Sequence, residues 1–288
     1  MKKMSKTMGT TIESLVEQAR NGNKDMLEEI IRRIQDRVYG LALRMLFHPA
    51  DAEDATQEIL IKIITRLDSF RGESRFDTWV YKVASNHLLT ARKYKAERWE
   101  LTFEKCEQMI EEASKDTGHG NSNDAVQELI IEETRISCVH FLLLCLNREL
   151  RLAVILGEIC NVNSREGGQI MGLTPAAFRQ KLSRGRKELV HYISATCGLV
   201  NPANRCHCEK LAVLHVKKKH IDPQKLLFAT HPCHARRDSN TENLLKELDQ
   251  LERAAMLIRN NPDYAAPGVF VESMKHLIDS NRFQLLGR

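Results

Sequence analysis

Aromatic residues, glycine and proline are scarce in this sequence. Aromatics make up 6% of the 288 residues, with 14 glycines and 7 prolines, so tight β-turns lack the residues they need. This shortage favours helices. The longest apolar run, Phe141–Leu146, is far shorter than the roughly 18 residues of a membrane span. The first residues contain lysine without a following apolar block, which predicts a cytoplasmic protein with no signal peptide and no membrane partner.

An excess of one charge is also missing. The chain has 43 Lys and Arg against 38 Asp and Glu, a net charge of +5, so any affinity for nucleic acid must come from local clusters. Eight cysteines are too few for a disulfide-stapled protein of this length and indicate reduced thiols or metal ligands. The 42% hydrophobic content excludes a disordered chain, and the length fits about two domains.

Apolar residues recur at steps of three and four through the first 90 residues, which predicts amphipathic helices. The period breaks at 21–23 and at 70–74. Pro49 ends one helix, and Asp51 is the predicted N-cap of the next. Phe76 and Trp79 lie on the apolar face of a further helix that runs into a basic stretch at 92–95.

The middle of the chain is acidic. Between Glu104 and Glu133 nine acidic residues stand against two lysines, a local charge of −7. Its centre, 118–123, is rich in Gly, Asn and Ser and predicts a linker. A second helical block follows at 136–194, and a helix-like tail begins at Thr241.

Two short helices with a tight turn are predicted within the second block. Asn163 and Glu166 resemble a capping box at the start of the first helix. In the stretch from Gly172 to Pro175, the glycine ends the first helix, the threonine is the N-cap of the second and the proline is at its first helical position. Basic residues in the second helix could reach phosphates, and Gln180 could pair with an adenine edge. The alternative is a solvated basic helix. Two glycines in the first helix, at 167 and 168, weaken it, so packing must hold it.

Three segments together resemble bacterial sigma-70 family factors of the extracytoplasmic-function class. Residues 51–62, with the pattern Asp-Ala-Glu-Asp-Ala-Thr-Gln-Glu, and residues 70–87 resemble region 2, and residues 146–187 resemble region 4 in the same order. The resemblance implies an all-α protein of two helical domains that binds core RNA polymerase and promoter DNA and is not an enzyme. The predicted parts are a region 2 domain at 1–98, an acidic linker at 99–134, a region 4 helix-turn-helix domain at 135–195 and a Cys/His segment with a mostly helical extension at 196–288.

The resemblance also implies roles for individual residues. The polymerase partners are the β′ clamp helices and the β flap, and an anti-sigma factor is a further partner that the sequence leaves open. The residues matching the family's docking helix for the β′ clamp are Asp51, Asp54, Gln57 and Glu58. Those matching its minus-10 surface are Arg71, Gly72, Glu73, Ser74, Arg75, Trp79, Lys82, Asn86, Arg92 and Lys93. Those matching its minus-35 helix are Ala176, Arg179, Gln180, Lys181 and Arg184.

Some of these positions have a structural alternative, and others depart from the family. Phe76 and Trp79 share the apolar face with Val83, so packing in the core is the alternative to stacking on DNA bases for these two side chains. The family usually has an aliphatic residue and alanine at 167 and 168, and Val or Thr-Val where this chain has Ala177-Phe178.

Cysteines cluster after the helix-turn-helix. Cys197, Cys206, Cys208 and Cys233 could supply a tetrahedral zinc site, although their spacing is not that of common zinc fingers. Ordinary reduced cysteines are the alternative. No cofactor is otherwise required. The competing functions are a polymerase-independent helix-turn-helix regulator with a metal- or redox-responsive extension and a zinc enzyme, which no catalytic motif supports.

Overall fold

The computed structural model describes residues 11–90, 101–115, 125–230 and 249–279. Within these ranges the chain forms twelve α-helices and no β-strand, which confirms the all-α prediction. The helices are α1 (Ile12–Arg20), α2 (Lys24–Leu46), α3 (Pro49–Thr65), α4 (Phe76–Thr90), α5 (Phe103–Lys115), α6 (Ala125–Cys145), α7 (Arg148–Val154), α8 (Ser164–Met171), α9 (Pro175–Thr196), α10 (Cys208–Lys217), α11 (Gln250–Arg259) and α12 (Val269–Asp279). A 3-10 turn covers Leu67–Ser69, and a π-helical turn covers Ile155–Ile159.

Helices α1 to α4 pack through the apolar positions that the sequence period picks out, which are buried. The predicted break at 21–23 is confirmed. Asn21 caps the end of α1, and the Asn23 side chain accepts hydrogen bonds from Asp25 N and Met26 N at the start of α2. Gly22 between them has φ +89°, a conformation that costs glycine little.

The predicted start of α3 is wrong by a few residues. The helix begins at Pro49 with His48 as N-cap, so Asp51 lies inside the first turn and does not cap it. Proline suits the first helical position because its φ is already helical and its missing N–H has no partner there. The Asp51 carboxylate still faces the positive end of the helix dipole.

The tight turn between two helices is confirmed: α8 is short, as predicted, whereas α9 is longer than predicted, with 22 residues. The Asn163 side chain accepts hydrogen bonds from Arg165 N and Glu166 N. Gly172, with φ +67°, ends α8, and the Thr174 hydroxyl accepts from Ala177 N at the start of α9. Pro175 is at the first position of α9, as predicted.

The range predicted as an acidic linker contains α5 and the start of α6. Cys106, Ile110 and Ala113 of α5 are buried. Residues 116–124, which include the polar centre at 118–123, lie outside the described residues. The largest apolar cluster runs from Leu15 to Met274 and includes residues of both predicted domains and of the extension. The proposed domain boundaries therefore do not separate independent cores.

The C-terminal extension packs against the rest of the chain. Buried Glu133 of α6 accepts hydrogen bonds from the backbone N–H groups of Leu227, Phe228 and Ala229 at 2.7–2.8 Å. The tail helix predicted from Thr241 is described from Asp249, whose side chain and that of Glu252 form a capping box for α11. None of the described helices is long and apolar enough to cross a membrane.

Candidate nucleic-acid interface

The predicted docking residues lie on α3, whose opposite face packs into the core. Asp54 and Glu58, one helical turn apart, are exposed, and Gln57 beside them is half-buried. Asp51 is only 9% exposed. The structure thus brings three of the four predicted residues to a surface that a partner could reach, whereas Asp51 offers that surface little.

His87 ties this acidic face to α4. The Lys62 ammonium lies 2.6 Å from His87 Nδ1, which must act as the acceptor because an ammonium can only donate. Burial lowers the pKa of His87, and the Lys62 charge lowers it further, so the neutral imidazole is favoured. Nε2 lies 3.7 Å from a Glu58 carboxylate oxygen. Side chains of α3 are therefore in contact with the helix that carries the predicted minus-10 residues.

The loop before α4 is anchored at its base and exposed at its tip. Arg20 donates hydrogen bonds to Leu67 O at 2.9 Å and to Phe70 O, and its guanidinium lies 5.9 Å from the Phe70 ring centroid. Gly72 has φ +73°. The predicted residues of the tip are exposed, apart from half-buried Ser74. Sequence reasoning missed Arg20, since nothing in a short amphipathic helix marks an arginine that clamps a loop 47 residues away.

One side of α4 packs in the core, and another side is exposed to solvent. Phe76 is fully buried, and its ring centroid lies 5.2 Å from that of Phe70 and 5.6 Å from that of Trp79. Phe76 therefore serves the core, whereas half-buried Trp79 forms the edge of this aromatic cluster. Lys82 and Asn86 are exposed and follow Trp79 at steps of three and four on one side of the helix. Arg92 and Lys93 lie outside the described residues.

The first turns of α9 present the predicted minus-35 residues to solvent. Ala176, Arg179, Gln180 and Arg184 are exposed and line one shallow groove with Ser183 and Lys187. Glu188 also lines the groove and pairs with Arg184 at 3.1 Å. Lys181 is half-buried outside the groove, and its ammonium pairs with Glu149 of α7. Four of the five predicted residues thus share one open, mostly basic face.

The two departures from the family's helix-turn-helix pattern fit each other. A Cβ atom on Gly167 would lie 2.4 Å from Cζ of the Phe178 ring, which is fully buried. A Cβ on Gly168 would lie 2.8 Å from Leu173 O in the turn. The phenylalanine occupies the space that a side chain at 167 would fill, and the backbone of the turn occupies the space that a side chain at 168 would fill. These contacts supply the packing that a helix with two glycines requires.

The two predicted DNA-binding surfaces touch. Helix α4 packs against α8, and Arg75 Nη1 in the exposed loop lies 3.8 Å from Glu166 Oε1. Arg151 of α7 donates a buried hydrogen bond of 2.7 Å to Met45 O in α2. The helices of the two predicted DNA-binding domains are therefore in direct contact.

The cysteines around α10 are free thiols in the described structure. Burial raises the pKa of Cys197, and burial together with the nearby Cys197 raises that of Cys208 to about 11. In the described ranges, no three His, Cys, Asp or Glu side chains are placed to hold a metal ion. Cys233, the fourth predicted ligand, lies outside those ranges, and the zinc site stays a prediction.

Comparisons with known proteins agree with the resemblance. The family described as Sigma-70 region 2 matches residues 30–98. The chain is 27% identical to the ECF RNA polymerase sigma factor SigW of Bacillus subtilis over 184 residues, which are 63% of this chain and 96% of that protein. It is 28% identical to the ECF RNA polymerase sigma-E factor of Escherichia coli K12 over 180 residues, 62% of this chain and 92% of that protein. More than a third of the chain lies outside each of these alignments.

Proposed function

We propose residue-level roles for this chain, which belongs to the extracytoplasmic-function class of sigma-70 family RNA polymerase sigma factors. As a sigma factor, the chain binds core polymerase, recognises the minus-10 and minus-35 promoter elements and helps to open the duplex at the minus-10 element. The observation that carries the proposal is the presence, in chain order, of an exposed acidic helix face, an anchored loop and a basic helix-turn-helix. Its task is binding and not catalysis, and it is carried out in the cytoplasm, where core polymerase works.

The acidic face of α3 is the proposed docking surface for the β′ clamp helices. Asp54 and Glu58 provide exposed charge that steers association with a basic partner, and Gln57 adds hydrogen-bonding capacity between them. The other acids of the helix, Asp51 and Glu53, are less exposed and present less of their charge to a partner.

The loop at 71–75 and the exposed side of α4 are the proposed minus-10 surface. Exposed loop residues could hold a base that has left the stack, and Lys82 and Asn86 could contact the backbone of the opened strand. The proposed minus-35 surface is the open face of α9, where Arg179 and Gln180 can reach base edges in a major groove. The β flap of the polymerase and an anti-sigma factor stay proposed partners without assigned residues.

Competition for core polymerase tests the docking role. Asp54→Lys with Glu58→Lys reverses the exposed charges, and we expect it to abolish displacement of a reference sigma factor while the chain stays folded, since exposed substitutions seldom cost more than about 0.5 kcal/mol. Glu13→Lys with Glu17→Lys is the matched control, because these residues are also exposed and one turn apart, on α1. Unchanged affinity of the α3 variant would remove docking from this face.

The alternative is a helix-turn-helix regulator that binds operator DNA without polymerase. It leaves the match of residues 30–98 to a polymerase-binding family unexplained. Stoichiometric purification with core polymerase separates the two functions, because an operator-binding regulator would bind DNA with unchanged affinity whether polymerase is present or absent.

A further inference from the structure

The C-terminal segment 249–279, called the strap below, connects α9 with α2. Its first helix, α11, packs on α9 and on the π-helical turn. Ala254 and Ile258 are buried there, and Arg253 donates a hydrogen bond of 3.1 Å to Val200 O. The strap begins on the helix-turn-helix side of the molecule.

A buried carboxylate fastens this end of the strap. The Glu158 side chain in the π-helical turn is only 7% exposed, and it lies 2.8 Å from Arg259 of the strap and 3.5 Å from Arg186 of α9. A buried charge that loses a partner is strongly destabilising. Glu158 therefore favours the state in which the strap stays packed against α9.

The middle of the strap supplies hydrogen-bond acceptors to a buried arginine of α2. Arg44 is 4% exposed and donates hydrogen bonds to Asn261 Oδ1 at 2.7 Å and to Pro262 O at 2.6 Å. Its guanidinium also lies 5.0 Å from the ring centroid of Tyr264, whose hydroxyl lies 2.8 Å from His140 Nε2. Among the described residues, all hydrogen-bond acceptors of Arg44 belong to the strap, so its release would leave a guanidinium in an apolar site unless water entered.

The last part of the strap, α12, lies along α2. Met274 is fully buried, and Phe270 packs with Tyr39 at a ring-centroid distance of 6.2 Å. Ala266 N donates a hydrogen bond of 2.9 Å to Asp36 Oδ1, and Lys275 lies 3.5 Å from Glu28. One continuous segment thus holds both the region 2 helices and the helix-turn-helix.

The closed arrangement conflicts with reading two promoter elements at once. Elements centred at positions −10 and −35 are about 25 base pairs, or about 85 Å, apart along B-form DNA. In the closed chain Arg75 of the minus-10 loop contacts Glu166 of the helix-turn-helix. The two surfaces must separate by tens of ångströms, and the strap must then leave α9 or α2.

We propose that the strap is a built-in inhibitory segment: bound across α2 and α9, it holds the chain closed, and its release allows the two DNA-binding surfaces to separate. The proposal rests on the sigma-factor function proposed above. The strap occupies contacts between the two domains and leaves exposed Asp54 and Glu58 of α3 uncovered. It therefore acts by limiting the open population and not by masking the docking face.

Two full-length release variants test the strap from its two ends. Arg259→Glu places a negative charge against buried Glu158, and Asn261→Ala with Tyr264→Ala removes the two side-chain contacts of Arg44 described above, leaving the bond to Pro262 O. Lys210→Glu, exposed on α10, makes the same charge change as the first variant and is its control. Circular dichroism shows whether each variant is folded. If one release variant misfolds, the other still tests the strap.

Small-angle scattering and promoter binding by the polymerase-bound chain give separate readouts. We expect both release variants to show a larger radius of gyration than the parent and the Lys210 variant. Only the open chain can contact both promoter elements, so apparent affinity for DNA that carries both scales with the open fraction, and a parent that is open about one-tenth of the time would gain about tenfold on release. Affinity for core polymerase itself, measured by competition with a reference sigma factor, should stay unchanged because the docking face is uncovered in both states.

Three results would overturn these ideas in distinguishable ways. If neither release variant expands, the strap contacts do not hold the chain closed. If the variants expand but, when bound to core polymerase, bind DNA with both promoter elements no better than the parent, the strap is not inhibitory. If neither parent nor variants bind core polymerase, the proposed function fails and inhibition fails with it, while scattering still reports whether the strap closes the chain.

Discussion

At the scale of single residues, the contact between Gly167 and Phe178 makes a prediction opposite to helix propensity. Alanine in place of a helical glycine normally stabilises by about 1 kcal/mol. Here the added Cβ would lie 2.4 Å from a fully buried ring, so we expect Gly167→Ala to lower the free energy of unfolding by about 1–3 kcal/mol. Phe178→Val leaves a cavity and is also destabilising alone.

The double variant decides whether the two residues are coupled. Alanine at 167 would fill part of the space that valine at 178 leaves, so Gly167→Ala with Phe178→Val should cost less than the sum of the single changes. Gln169→Ala, exposed on the same helix, is the control and should change stability by less than about 0.5 kcal/mol. Chemical denaturation measures all four chains, and additive losses would contradict the coupling.

Gly167 and Phe178 show which residues can be interpreted from the sequence alone. Asn163, Gly172 and Thr174 are predictable because a cap acts within three or four residues of itself. Gly167 is predictable only as a weakness of its helix, because its reason is a ring on another helix. Arg20 and Arg44 lie still further from what they bind, and no local pattern reveals either of them.

At the scale of elements, the loop before α4 and the start of α9 should contribute to promoter binding in separable ways. Arg179→Ala with Gln180→Ala should weaken binding to closed promoter DNA and relax preference at minus-35 positions, by about 1–3 kcal/mol if a bidentate base contact is lost. Lys181→Ala should do less, because Lys181 is already paired with Glu149.

Changes in the loop should spare duplex binding. Glu73→Ala with Ser74→Ala should reduce strand opening and alter preference at the flipped minus-10 base, since extrusion costs a few kcal/mol that a fitted pocket must offset. A promoter library and a fluorescent probe of base unstacking measure the two steps, and each variant is the control for the other. Equal defects in both steps for both variants would show that the assignments are wrong.

Helix α5 shows how one sequence signal can hide another. Its acidic composition predicted a linker, yet Cys106, Ile110 and Ala113 recur at steps of four and three and are buried. Net charge describes the solvent-facing side of a helix, whereas the spacing of a few apolar residues decides whether the other side packs. The period was present in the sequence, but the charge count outweighed it.

At the scale of the whole molecule, the sequence predicted helices in both domains and in the tail, but it predicted neither α5 nor how the parts pack together. Contacts from the strap to α2 join residues more than 200 positions apart, such as Arg44 and Asn261. Apolar period and capping carry no information about such pairs, because they describe one element at a time. The family resemblance could not supply them either, since more than a third of the chain lies outside the aligned relatives.

Two buried histidines make the stability of the whole fold depend on pH. Burial lowers the pKa of His140 to about 3, and burial together with His220 and Lys218 lowers that of His215 to about 4. In the unfolded chain both groups titrate near about 6.5. The folded state therefore holds fewer protons below that pH, so the stability contributed by neutral burial is complete above about pH 6.5 and is lost as the pH falls towards 4.

Unfolding measured between pH 7 and 4 should show this loss. Each histidine can add a slope approaching about 1.4 kcal/mol per pH unit, because the unfolded chain takes up to one extra proton at each site. His140→Gln, which can keep a hydrogen bond to Tyr264, should reduce the slope relative to the parent, although its stability at pH 7 is lower. Gln169→Ala, exposed on α8, removes no titratable group and should leave the slope unchanged. If all three chains lose stability at the same rate, His140 is not buried as a neutral group, and the packing of Tyr264 against it needs to be revised.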